Sequence, residues 1–194
     1  MGQRTMFFTV AEDSKGNMKV SGYYHGWGIG KVMPAAAMTC VFTNERRSYD
    51  KTCLDGLTFN SSEQNFHKEF STTYGKGDKL ARMVWNNPRM IGEFRSDNNN
   101  GAIVLYAKDK GEGSCDGTEY KIGFLLGTED MYNISYEGKE YNLEAKGLGS
   151  DFDRWLTLDE WANLESNKAY MDEFMPCFKG FMETYHVEVK TWEN

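Results

Sequence analysis

The sequence predicts an α+β fold, a mostly antiparallel twisted sheet packed on one face by several helices. Three observations carry this. Short β-prone apolar runs recur through most of the chain, separated by Gly, Asn and Asp turn clusters, which is the pattern of hairpins. Ser61 with Gln64, and Thr157 with Glu160, have the spacing of a capping box and mark helix starts. The final quarter turns helical and then closes on a last β-prone run at 187–192.

Residues 4–10 and 18–24 read as two strands joined by the turn cluster Asp13-Ser14-Lys15-Gly16-Asn17. A glycine-rich connection follows. Pro34 suits the first turn of a helix, and the good helix formers Ala35, Ala36, Ala37 and Met38 extend it to about Arg46. A second helix is expected over 62–71. Residues 72–78 break it and are the one candidate hinge in what otherwise reads as a single domain spanning 1–194.

The middle reads as strands at 81–85 and 91–95 around an Asn-Asn-Pro turn, then at 102–107 and 120–126. An Asn-Gly turn signal ends at Gly101, and a polar loop covers 109–117. Residues 132–136 and 139–143 form a further hairpin around Glu137-Gly138. A helix opens after Thr157, and another spans 169–185, where Pro176 kinks or divides it. The expected core holds Phe7, Val10, Val20, Met38, Val41, Phe66, Phe70, Ile103, Leu105, Ile122, Phe124, Leu125, Trp161, Phe174 and Phe178.

Composition narrows the function classes. Hydrophobic residues at 40% argue against wholesale disorder. A net charge of −7 argues against general nucleic-acid binding, which needs a basic face. Lys76, Lys79, Arg82, Arg89 and Arg95 form a local basic cluster, either a solvated face or a contact for an acidic partner. The cysteines Cys40, Cys53, Cys115 and Cys177 show neither Cys-x-x-Cys spacing nor a disulfide framework. They read as reduced thiols, and the expected location is cytoplasmic. No run of apolar residues suits a signal peptide or a membrane span, and Met6 breaks a myristoylation motif. The sequons at Asn60 and Asn133 are then silent.

The stretch from Gly22 to Pro34 holds the candidate site: Tyr23, Tyr24, His25, Trp27, Gly28, Gly30 and Lys31. A phosphate-binding loop fails here because His25 replaces its first glycine and Val32 its hydroxyl; the dinucleotide fingerprint fails at Lys31 and Met33. Two readings remain. Backbone N–H groups ahead of a helix form an anion cradle, with His25 as base and Lys31 as charge partner. Otherwise the glycines serve a tight strand-to-helix connection, and the aromatics pack inward or present a binding surface.

Other constellations are weaker. His67 reads as a surface residue, His186 precedes the last strand, and no zinc spacing exists. The asparagine run from Asp97 lacks the glycine and glutamate of a calcium loop. Glu-x-Lys, a fragment of some metal-dependent nucleases, occurs at Glu119, Glu137, Glu144 and Glu188. Cross-strand charge pairing produces the same pattern. Asp151 and Asp153 offer a carboxylate pair or a helix-entry loop. No nucleophile elbow is present.

The expected function is a non-catalytic binding or interaction protein of the adaptor, inhibitor or mobile-element accessory kind, using the aromatic- and glycine-rich surface. It needs no cofactor, and its partner is another protein. The alternative is a small enzyme or ligand-binding domain holding an anionic small molecule at 26–31. Neither nucleic acid nor membrane is an expected partner.

Overall fold

The computed structural model describes residues 5–26, 28, 30–46, 66–86, 102–111, 117–125, 134–136, 139–141 and 155–191. Strands β1 (Thr5–Glu12) and β2 (Met18–His25) form the first hairpin, with Thr5 opposite His25 and Glu12 opposite Met18. Asp13 closes its turn. The carboxylate accepts from the backbone N–H of Lys15 at 2.9 Å and of Asn17 at 2.8 Å. Gly16 takes a φ of +83°, a left-handed conformation open to a residue without Cβ.

Helix α1 (Val32–Arg46) follows, with Pro34 in its first turn, and then strand β3 (Phe66–Ser71) and helix α2 (Asp78–Asn86). Strands β4 (Ala102–Asp109) and β5 (Thr118–Leu125) pair antiparallel, and β6 (Ile134–Tyr136) with β7 (Lys139–Tyr141) forms a separate hairpin. Three helices, α3 (Leu158–Ala162), α4 (Glu165–Met171) and α5 (Met175–Thr184), lead into strand β8 (Val187–Val189).

The main sheet runs β3-β2-β1-β4-β5-β8. Leu156, bridged to Phe124 in the antiparallel sense, adds a seventh segment at the β5 edge. The pairs β1–β4 and β5–β8 are parallel, and the others are antiparallel. The α+β class and the mostly antiparallel sheet are as the sequence predicts.

The side-chain period of two divides the core. Phe7 and Ala11 of β1, with Ile103, Leu105 and Ala107 of β4, face α1 and the three late helices. Met6, Phe8 and Val10, with Ala102, Val104 and Tyr106, face the opposite way toward Ala81 and Val84 of α2. Strands β1 and β4 are therefore buried on both faces, which explains their nearly unbroken apolar runs. The expected core residues all belong to these two clusters, with Met38, Phe70 and Phe174 partly buried at the margins.

Three expectations need correction: helices pack on both faces of the sheet and not on one, and two elements change type. Residues 66–71 form strand β3, not the end of a helix; a register shift opposite Gly22/Tyr23 puts Phe66 into the α1-side core and Phe70 against the α2 side. Residues 81–85 form helix α2, not a strand. Leu80, Ala81, Val84 and Trp85 are spaced as one helical stripe and cover the sheet face that the predicted helices leave open. Of the two outcomes expected at Pro176, the structure has the division: α4 ends at Met171 and α5 restarts with the proline in its first turn. The candidate hinge at 72–78 is bonded to β2, through Thr72 N–H to Val20 O at 2.9 Å and Met18 N–H to Asp78 Oδ1 at 2.6 Å. The expected strand at 91–95 and the turns at 97–101 and 137–138 lie outside the described residues.

Candidate functional site

The connection from β2 to α1 is built by close packing. A Cβ at Gly28 would collide with Thr5 Oγ1 and with Met33, so only glycine lets the chain pass over the start of β1. Gly30 has a φ of +60°, and a Cβ there would run into Cβ of Tyr170 on α4. Its N–H donates to Asn167 Oδ1 at 2.9 Å, and Asn167 Nδ2 donates to the carbonyl of Trp161 at 2.9 Å, both inside the protein. One buried asparagine thus fastens the connection to the α3–α4 corner. Helix α1 then begins, with Ala35 N–H donating to Lys31 O at 2.9 Å.

The candidate residues separate by environment. Tyr23 is fully buried beside Phe7, at 6.2 Å between ring centroids, so its ring belongs to the core and not to a surface. His25 is buried, edge-on to Phe66 at 4.7 Å. Tyr24 points to the opposite face, half-buried, 6.4 Å from His67. Gly28 and Gly30 are buried, and Lys31 is exposed. Trp27 lies outside the described residues. Thr5 shares its face with His25 across the β1–β2 ladder, and its buried Oγ1 has no hydrogen-bond partner among the described residues.

Two residues central to this geometry escaped the sequence reading. Asn167 and Tyr170 lie far along the chain from Gly30 and belong to no motif, so only the fold brings them there. Tyr170 is 54% exposed, although its Cβ seals Gly30.

The remaining polar groups are engaged in the architecture. Tyr120 donates to Glu45 at 2.5 Å and accepts from Asn44 Nδ2 at 2.6 Å, tying the end of α1 to β5; burial and the Glu45 carboxylate push its phenol up. Burial also pushes the Cys40 thiol up, so it is inert, while Cys177 is exposed. Glu12 accepts from Tyr106 at 2.7 Å and pairs with Lys108 at 3.0 Å. Lys121 bridges Glu119 of its own strand at 3.4 Å and Glu188 of β8 at 3.5 Å; the second is the cross-strand pairing that imitates a nuclease motif. Glu137 and Glu144 lie outside the described residues, as do Asp151, Asp153, Arg89, Arg95, Cys53 and Cys115. His67 and His186 are exposed; the φ of 50° at His186 belongs to the end of α5, where its N–H reaches Glu183 O at 3.3 Å. Among the described residues, no group of three or more metal-ligating side chains forms, and no helix is long and apolar enough to cross a membrane.

Compared with known families, curated proteins and solved structures, the chain matches none of them.

Proposed function

We propose that the chain is a non-catalytic protein-binding protein of the cytoplasm, and that its contact surface centres on Tyr170 and Lys31. One observation carries this reading. Asn167 takes up the Gly30 amide beneath Tyr170, which stays half exposed, and Lys31, the residue after Gly30, is exposed as well. A partly exposed tyrosine is the kind of side chain that anchors a protein interface. Little conformational entropy is lost when such a residue is covered.

A second reading, a small enzyme or ligand-binding domain with an anion cradle at 26–31, draws on the unpartnered Thr5 hydroxyl beside His25. It keeps Lys31 as charge partner, but the Gly30 N–H is already committed to Asn167.

Site-specific photo-cross-linking tests the first reading. A photoreactive residue replacing Tyr170 is expected to give a single protein adduct in the native host, competed away by unlabelled wild-type protein. The same residue at exposed Lys15 in the β1–β2 turn should give none. No adduct at 170, or equal adducts at both positions, would remove the proposed surface.

A further inference from the structure

The opposite face of the sheet carries a feature that this reading leaves unused. Lys190 follows β8 and is only 7% exposed. Its Nζ lies 4.1 Å from the ring centroid of Trp85 and 5.4 Å from that of Trp155. The two indoles stand 5.7 Å apart at 45°, and Trp85 is backed by Tyr106, stacked at 4.8 Å. Two indole faces around one ammonium form the arrangement that recognises alkylammonium ions.

One wall is held from β2, and the other wall and the occupant are both held on β5. Trp85 belongs to α2, which Asp78 ties to β2 at Met18. Trp155 covers Gly123, where a Cβ would strike its ring, and the next residue donates from Leu156 N–H to Phe124 O at 2.9 Å. Lys190 is carried by β8, which makes three ladder pairs with β5, and by its own N–H to Ile122 O at 2.8 Å. Burial and the nearby Lys121 charge both work against its ammonium.

We infer that Trp85 and Trp155 form a cation-recognition site, that Lys190 fills it as an internal ligand, and that the site accepts an external alkylammonium when Lys190 is withdrawn. The site is separate from the Tyr170 surface and does not depend on it.

The test uses the full chain with Lys190→Ala and tetramethylammonium chloride, read by tryptophan fluorescence and thermal unfolding. The variant should show a saturable response at concentrations about tenfold below any effect on wild type. Sodium chloride at equal ionic strength and the uncharged isostere tert-butanol should not reproduce it. If the variant does not fold alone, tetramethylammonium should restore folding where sodium does not. A folded variant that does not respond, or an unfolded one that the ammonium fails to rescue, overturns the inference. A trimethyllysine peptide separates the two sources of this chemistry: tighter binding than tetramethylammonium assigns a modified protein side chain, and weaker binding assigns a free small ammonium.

Discussion

Gly26, Gly28 and Gly30 share one short segment but not one role. At Gly26 a Cβ would meet nothing within 4 Å, whereas at Gly30 it would meet Tyr170 on a backbone already at a φ of +60°. Gly30→Ala should therefore cost about 2 kcal/mol in chemical denaturation, combining left-handed strain with displacement of Tyr170. Gly26→Ala should be close to neutral. Equal effects at both positions would contradict the packing role. Glu12 supplies a second prediction at this scale. Burial acts to raise its carboxyl, but hydrogen bonds from Tyr106 and Lys108, with the charges of Lys108 and Arg82, outweigh it and hold the group below the usual glutamate range. A folded-state value below the unfolded one means a contribution present in full above about pH 4.3 and lost as pH falls through the folded value. Glu12→Gln should cost about 1 kcal/mol at pH 7, kept small because Lys108 is 43% exposed and solvent-screened. The two proteins should then converge in stability in acid; a gap that persists to low pH would contradict the linkage.

At the scale of elements, what was legible in the sequence was local chemistry. Thr157 and Glu160 form the full capping box, with Glu160 N–H to Thr157 Oγ1 at 3.2 Å and Thr157 N–H to Glu160 Oε2 at 2.8 Å. Thr157→Ala should cost about 1 kcal/mol, checked by denaturant midpoint, with Thr157→Ser retaining most of the stability. The β1–β2 turn and the division at Pro176 were legible for the same reason, since Asp13, Gly16 and Pro176 act on backbone within a few residues of themselves. Strand β3 and helix α2 were not. The capping-box spacing at Ser61 and Gln64 points to a helix, but Phe66–Ser71 gains its backbone hydrogen bonds from β2, a partner distant in sequence. In α2, the run Ala81-Arg82-Met83-Val84-Trp85 satisfies a strand pattern as well as a helical one. The choice falls to the uncovered sheet face that Val84 and Trp85 fill.

Across the whole molecule, the glycine segment was legible as unusual but not as a joint, because Asn167 and Tyr170 lie in α4, far along the chain. Helices cover both faces of the sheet, and among the described residues Phe42 and Tyr170 are the large hydrophobic side chains left exposed. Under the proposed function, the net charge of −7 suits a partner with a complementary basic surface. In the proposed function, the connection from β2 to α1 positions a protein-contacting surface and does not hold an anion. Native mass spectrometry of the gently purified wild type, Tyr170→Ala and Lys31→Ala proteins tests it most directly. The account predicts a protein-sized adduct on the wild type that Tyr170→Ala loses, and no stoichiometric small-molecule mass on any of the three. A small mass that is present on wild type, survives Tyr170→Ala and disappears with Lys31→Ala would contradict it and establish the connection as a ligand cradle.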